Sequence, residues 1–164
     1  MNTINMEFDL EKFNELKDLT KLNYDKTGYV YSPALQASII FNSDGFHHLR
    51  YDNNRSERSK KAQESKFIYF DKAVEILKKS ITIQEYRRSI CTIGGCDRSG
   101  FRKTKIIEWF GFFAIVSFSK RIRVNVVVRR IGEENGQYHF WSVMPFWTLS
   151  NNIRIIGSRK IEDE

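Results

Sequence analysis

The chain is predicted to be an α+β protein, with N-terminal helices packed on a C-terminal antiparallel sheet of about four strands. Two observations predict this fold. Apolar residues recur at helical spacing in several segments before residue 80. Beyond residue 105 the sequence consists mainly of β-branched and aromatic runs, which are typical of strands.

Length and composition favour one domain with a sizeable core. The chain has 164 residues, of which 41% are hydrophobic and 14% aromatic. We expect an N-terminal helix and extended segment in residues 1–34, a core in 35–157 and a frayed tail in 158–164. The sequence contains no run of 18 apolar residues and no signal-peptide pattern at its start, so no membrane association is expected and a cytoplasmic location is predicted.

The first helix is predicted over residues 8–22. Asp9 is a suitable N-cap, and the apolar side chains that follow recur about every third residue. These are Leu10, Phe13, Leu16, Leu19 and Leu22. An extended segment interrupted at Ser32-Pro33 should follow over residues 28–41, and it should end in a short buried strand at residues 39–41.

Two further helices are predicted before residue 80. Ser43 or Asp44 should cap a short helix in which Phe46 and Leu49 share the buried face and His48 lies at its edge. A longer helix is expected over residues 58–80 because its apolar residues follow helical spacing. Those residues are Phe67, Phe70, Ala73, Val74, Ile76 and Leu77.

Strands are predicted at residues 106–118, 121–131, 137–144 and 147–156. Ser119-Lys120 and the Asn-Gly pair within residues 133–136 are typical of hairpin turns. Residues 80–103 contain three glycines and many basic residues, and are expected to include an irregular, mobile loop.

A hairpin loop of two or four residues would divide the last hairpin into two faces. One face would combine Arg123, Asn125, Val127 and Arg129 with Phe140, Ser142 and Met144. The other, drier face would combine Val124, Val126 and Val128 with His139, Trp141 and Val143. A three-residue loop would reverse the assignment of the last strand.

Charge favours a polyanionic partner. The net charge is +7 and the pI is about 9.4, which favours nucleic acid or nucleotide over no specific partner at all. Cys91 and Cys96 are a single pair of thiols, which is too few for a structural zinc site. The sequence also lacks a phosphate-binding glycine loop, a dinucleotide fingerprint and an H-E-x-x-H zinc motif, so no metal or cofactor is expected.

A small set of residues would be enough to cleave RNA without a metal ion. The reaction needs a base for the 2′-hydroxyl, an acid for the 5′-oxygen and cations for the phosphate oxygens. His47 or His48, beside the basic segment 50–66 and opposite Arg129 and Ser142, would supply these groups. The alternative for each histidine is a hydrogen-bonded structural side chain, and we expect this for His139.

The order of elements resembles the superfamily of small metal-independent RNases that includes barnase, EndoU, colicin RNase domains and RelE toxins. The resemblance is greatest to its phage- and mobile-element-associated branch. It is carried by residues 41–49 (FNSDGFHHL), 55–61 (RSERSKK), 123–129 (RVNVVVR) and 139–143 (HFWSV), and extends over about residues 35–145.

This resemblance implies a toxin-like RNA endonuclease that leaves a 2′,3′-cyclic phosphate. It implies that His48 is the acid–base residue, that Arg58 and Lys60 bind or polarise phosphate, and that Arg129 and Ser142 contact it from the sheet. Further substrate contacts are expected from His47, Arg50, Arg55, Lys61, Arg123 and Asn125. An acidic antitoxin or immunity protein is the expected protein partner.

Two other functions stay open at the level of sequence. One is a non-catalytic nucleic-acid-binding module, in which Tyr51, Phe101 or Trp147 would form a stacking surface beside the basic residues. The other is a protein-interaction domain of a mobile element, in which the basic charge would bind an acidic partner.

Overall fold

Residues 8–117, 121–147 and 161 are described by the computed structural model of the chain. The helices are α1 (Leu10–Thr27), α2 (Ser43–Arg50), α3 (Lys60–Ile68) and α4 (Phe70–Lys79). The strands are β1 (Tyr29–Ser32), β2 (Ala37–Ile40), β3 (Glu85–Ile93), β4 (Lys103–Ser117), β5 (Arg121–Ile131) and β6 (Tyr138–Trp147). The mixed α+β fold is therefore confirmed, with the helices in the N-terminal half.

Helix α1 begins where the sequence predicts but buries a different face. The Asp9 carboxylate accepts a hydrogen bond from the Lys12 backbone N–H at 3.1 Å, which confirms the cap. The helix continues past residue 22 to Thr27 and ends at Gly28, whose φ is 60°. Its buried residues are Phe13, Thr20 and Tyr24. The predicted apolar stripe is therefore wrong in part, since Leu10, Leu19 and Leu22 are exposed.

Helix α2 has Asn42 as its N-cap, and not Ser43 or Asp44. The Asn42 side-chain oxygen accepts a hydrogen bond from the Gly45 N–H at 3.2 Å. Phe46 and Leu49 share the buried face, as predicted. The helix lies so close to β6 that a Cβ on Gly45 would be 2.4 Å from the carbonyl oxygen of Phe140.

The long helix predicted over residues 58–80 is wrong in one respect, because it is divided into α3 and α4 at Tyr69. Tyr69 has a ψ of 5°, which interrupts the regular helix. The break lets α3 pack on α1 and β6 while α4 packs on β1, β4 and β5. Most of the predicted apolar face is buried on these two helices, including Phe67, Phe70 and Leu77.

The sheet of the described residues has six strands, and not about four, in the order β1-β2-β6-β5-β4-β3. The additional strands are β1 and β2, which lie between α1 and α2, and β3, which precedes β4. Strand β2 overlaps the short strand that was predicted at residues 39–41. The pairing between β2 and β6 is parallel and the other pairings are antiparallel. The parallel pairing joins only Ile39 to Tyr138 and Ile40 to His139.

Strand β3 occupies part of residues 80–103, a segment that was predicted only to include an irregular loop. Its residues alternate between half-buried and exposed, as on an edge strand. The strand was hard to predict because basic and polar side chains alternate with its β-forming residues, as is usual on an edge strand. A loop remains over residues 94–102, where Gly94 and Gly100 adopt positive φ angles of 78° and 80°.

The predicted register of the last hairpin holds over only part of its length. Asn125 pairs with Met144 and Val127 with Ser142, as predicted. A register shift between Val127 and Val128 then places Phe140 opposite Val128 and His139 opposite Arg129. Phe140 is therefore on the valine-rich face, which corrects its predicted grouping with Arg129.

The two faces of the sheet have unequal cores. The helices cover the face that contains Val124, Val126, Val128 and Phe140, which forms the main core. A small second cluster lies on the opposite face and contains Ile107, Trp109, Val127 and Ile161. The strand predicted over residues 147–156 falls almost entirely outside the described residues. None of the described helices is long and apolar enough to cross a membrane.

Replacing Gly45 with alanine should destabilise the protein, although alanine favours helices. The added Cβ would be 2.3 Å from the Tyr24 hydroxyl oxygen and 2.4 Å from the Phe140 carbonyl oxygen. We expect the free energy of unfolding to fall by about 2 kcal/mol or more, because overpacking against backbone outweighs the helix propensity of alanine. Chemical denaturation measures this change.

The matched control is Gly95→Ala. A Cβ at Gly95 would meet no atom within 4 Å, so its effect should stay within about 0.5 kcal/mol. Equal stabilities of the two variants would show that α2 does not depend on this close approach.

Candidate active site

An open cavity of about 460 Å³ lies where α2 and the loop after it meet β5 and β6. Eight residues line it, and they include imidazole, guanidinium, carboxylate and indole groups. They are Asp44, His47, His48, Asp52, Asn53, Arg55, Arg129 and Trp141. Four of these, namely His47, His48, Arg55 and Arg129, are residues that the sequence predicted for the site.

The cavity forms because β2 ends early. It pairs with only the first two residues of β6, and α2 begins three residues after β2 and packs on β6. His48 is thereby brought against Trp141. The two rings stack with centroids 4.1 Å apart and planes 19° from parallel.

Arg58 contacts both the backbone and the ring of His48. Its Nε donates to the His48 carbonyl oxygen at 3.2 Å, and its Nη2 lies 3.3 Å from the His48 Nε2. A guanidinium has no acceptor, so a hydrogen bond between these two atoms requires Nε2 of His48 to accept and the ring proton to be on Nδ1. The His48 ring is therefore neutral in this arrangement, and the residue is only 3% exposed.

A tight loop after α2 positions Arg55 and Arg58. The Asp52 carboxylate accepts hydrogen bonds from the backbone N–H groups of Asn54 and Ser56, both at 2.9 Å. The Arg58 N–H donates to the Arg50 carbonyl oxygen at 2.9 Å, which returns the chain to the end of α2. Arg55 lies at the tip of this loop, exposed at the cavity, with a φ of 62°.

Arg129 forms the sheet side of the cavity. Its guanidinium lies 3.7 Å from the centre of the Trp141 ring, and its Nη2 lies 3.9 Å from a carboxylate oxygen of Asp44. Burial lowers the pKa of Arg129, and Asp44 acts in the opposite direction. Its buried Nε has no hydrogen-bond partner among the described residues. The charge thus lies on an aromatic face, and its nearest counterion among the described residues is Asp44.

His139 pairs with Arg129 across the strands but does not line the cavity. Burial lowers its pKa, the positive charge of Arg129 lowers it further, and Asp44 opposes both effects. Its buried Nδ1 has no hydrogen-bond partner in the described part of the chain. The residue is therefore a half-buried neighbour of the site cation.

Several predicted site residues lie away from the cavity. Lys60 binds Glu57 at 2.7 Å, and Lys61 is exposed on α3. Arg123 lies between the rings of Phe113 and Phe146, 4.9 Å from each centre, at the far end of β5. Asn125 is buried, and Arg50 packs on the ring of Tyr51.

Ser142 is also away from the cavity and has a buried cation as its neighbour. The ammonium of Lys66 donates to the Ser142 hydroxyl oxygen at 2.8 Å and to the Val143 carbonyl oxygen at 3.1 Å. Lys66 and Ser142 are both fully buried. This contact between α3 and β6 is one that sequence spacing did not suggest.

Sequence reasoning missed four residues that line the cavity. Asp44 was interpreted as a helix cap, and Asp52 and Asn53 lie in the segment 50–66, which was selected for its basic residues. Trp141 was assigned to the dry face, because the register shift beside it has no signal in the hydrophobic pattern. The cluster of Asp and Asn residues shortly after the two histidines is the one sequence signal that could have indicated these lining residues.

No family model, no curated protein and no solved structure matches this chain. The cavity is therefore interpreted from its own geometry.

Replacing Ser142 with alanine should lower stability. The change removes a hydrogen bond to a buried ammonium, for which about 1.5–3 kcal/mol of unfolding free energy is expected. Urea denaturation measures it. Ser65→Ala is the control, since the Ser65 hydroxyl donates to the Lys61 carbonyl oxygen within α3 itself, at an exposed position. A loss no larger than that of the control would contradict the structural importance of the Lys66–Ser142 contact.

His139 should make folding sensitive to acid. Its pKa is lowered in the folded protein, so the unfolded chain binds a proton first as the pH falls below about 6.5. The folded state therefore loses stability from about pH 7 downward until the folded pKa is passed. The His139→Gln variant should lose less stability than the wild type between pH 7 and pH 5, measured by denaturation at each pH. Equal losses in the two proteins would contradict the assignment.

Proposed function

We propose that the chain is an RNA endonuclease whose active site is the cavity between α2 and β6. The observation that carries the proposal is the joint position of His48, Arg58 and Arg129. The imidazole of His48 lines the cavity and is in contact with the guanidinium of Arg58, which does not line it. The sheet side of the cavity carries a second guanidinium, that of Arg129. RNA cleavage by its own 2′-hydroxyl needs a proton carrier and cations for the phosphate oxygens, and little else.

His48 is the proton carrier in this proposal. In the free protein its Nε2 accepts a hydrogen bond from Arg58. A substrate phosphate is a stronger acceptor for a guanidinium than an imidazole is, because it carries a full negative charge. Binding of the phosphate draws Arg58 away and leaves the Nε2 lone pair available to the 2′-hydroxyl.

The reaction then proceeds with one proton transferred in a closed cycle. His48 removes the proton of the 2′-hydroxyl, and the 2′-oxygen attacks phosphorus. The bond between phosphorus and the 5′-oxygen breaks, and His48 returns the proton to that oxygen. The products are a 2′,3′-cyclic phosphate and a free 5′-hydroxyl, with no change in oxidation state.

Arg129 and Arg55 bind the phosphate oxygens in this scheme. Arg129 is held on Trp141 before substrate arrives, so its charge is already placed where the transition state develops negative charge. Arg55 is exposed at the rim and adds a second cation. His47, which stacks on Tyr51 with centroids 4.3 Å apart, is exposed beside them as a contact for substrate.

The proposal is tested with purified protein, mixed RNA and excess EDTA. We expect cleavage with cyclic phosphate ends. His48→Ala should reduce kcat by about 100-fold or more, because general acid–base catalysis contributes that much. His47→Ala should act mainly on KM, since this residue is proposed to bind substrate. The ends are mapped by sequencing and by their resistance to ligation.

Arg58→Lys provides the sharper comparison. It keeps a positive charge near the phosphate but loses the fork that contacts both the ring and the carbonyl oxygen of His48. We expect an intermediate loss of kcat. A well-folded wild type that cleaves no RNA, or a His48→Ala variant as active as the wild type, would overturn the proposal.

A further inference from the structure

The β3–β4 hairpin carries a concentration of positive charge outside the cavity. Residues 86–105 contain six Lys or Arg and one Asp, a net charge of +5 out of the +7 of the whole chain. Arg88 is paired with Glu133. Four other cations, namely Arg98, Arg102, Lys103 and Lys105, are exposed and form no ion pair within the described ranges. We call the segment from Asp97 to Lys105 the basic tip.

The basic tip is built on an ordered turn. The Asp97 carboxylate accepts hydrogen bonds from the N–H groups of Ser99 and Phe101, at 2.8 and 3.0 Å. The Asp97 N–H donates to the Phe101 carbonyl oxygen at 2.8 Å, and Gly100 closes the turn with a φ of 80°. The single acid of the segment is therefore engaged with its own backbone.

This turn presents an aromatic ring to solvent between two arginines. Phe101 is 74% exposed, and Arg98 and Arg102 lie on either side of it in the chain. A ring in this position gains nothing from the core. An exposed aromatic ring flanked by cations is the arrangement that binds single-stranded nucleic acid, through base stacking and phosphate contacts.

The sheet connects the tip with the cavity. Arg87, Trp109, Arg129 and His139 are paired in register across β3, β4, β5 and β6, so one row extends from the site to the edge strand. Lys103 and Lys105 share the face of Trp109 because side chains alternate along a strand. Lys105 is four residues, or about 13 Å, along β4 from Trp109. Lys103 and Lys105 therefore lie on the same face of the sheet as this row, beyond the buried Ile107 and Trp109.

We propose that the basic tip is a binding site for single-stranded RNA, where Phe101 stacks on a base and the four cations bind phosphates. The choice of RNA rests on the proposed function, while the recognition chemistry rests on the tip itself. The tip captures the strand outside the cavity and does not take part in the reaction.

Binding is measured by fluorescence anisotropy with labelled, single-stranded 2′-O-methyl RNA, which lacks the attacking hydroxyl and is not cleaved. Phe101→Ala should weaken binding by about 5- to 100-fold, as expected for the loss of one stacked base. Phe101→Trp should restore it, and Phe101→Leu should not, because leucine keeps apolar area without a ring. Thermal melting checks that each variant is folded.

Charge is tested with a matched pair of double variants. Arg98→Gln with Arg102→Gln should weaken binding at least tenfold and lower the slope of log Kd against log salt by about 1.4, as expected for two phosphate contacts on a single strand. Lys26→Gln with Lys78→Gln removes the same net charge from exposed positions on α1 and α4, and should have little effect.

The outcomes separate this proposal from the nuclease. The proposal for the basic tip would be contradicted if the two double variants lost equal RNA affinity. It would also be contradicted if Phe101→Ala bound RNA as the wild type does, or if the wild type bound no RNA. A protein that binds no oligonucleotide but forms a salt-sensitive complex with an acidic protein through the same cations would contradict it as well. RNA binding that depends on the basic tip, without any RNA cleavage, would contradict the proposed nuclease activity but support the proposed binding site.

Discussion

The close approach of α2 to β6 at Gly45 determines where every other part of the candidate site lies. The helix is in contact with the Phe140 carbonyl because residue 45 has no side chain, and the Tyr24 hydroxyl fixes the same place by donating to the Asn42 carbonyl oxygen at 2.8 Å. Residues three and four positions on from Gly45 share its side of the helix. These are His48 and Leu49, so the first meets Trp141 and the second enters the core. A glycine thus orients a histidine one turn away.

The register shift in β6 is the second condition for this site, and it explains most of what the sequence could not predict. The alternating pattern placed the valines of β5 on the core face, which is confirmed. When the same register is extended beyond Val127, it predicts that Trp141 lies on the core face with these valines. One extra residue in β6 instead places Phe140 in the core and leaves the indole beside Arg129. Hydrophobic alternation carries no mark of such a shift, because Phe and Trp satisfy either face equally.

Local signals predicted the elements better than their partners. The cap at Asp9, the short helix at residues 43–50 and the strands β4, β5 and β6 follow from turn residues and periodicity. The parallel pairing of β2 with β6 joins residues about 100 positions apart, and no local preference encodes it. The contact between Lys66 and Ser142 is equally remote in sequence. Strand β3 was not predicted, because the many basic residues of this edge strand are also typical of a loop. The two histidines could be selected from the sequence, whereas Asp44 and Trp141 depended on tertiary structure.

The positive charge of the chain is of two physical kinds. In the sheet, guanidinium groups are held by neighbours, as Arg129 is by Trp141 and Arg130 is by Glu108 at 2.7 Å. At the basic tip the cations are exposed and form no ion pair with an acidic side chain among the described residues. Salt screens exposed charges strongly and partly buried charges much less. In the proposed nuclease, capture of RNA is therefore the salt-sensitive step and the chemistry is the insensitive one. Few cations need to be placed in the cavity, because the remaining attraction for a polyanion is supplied elsewhere on the same sheet.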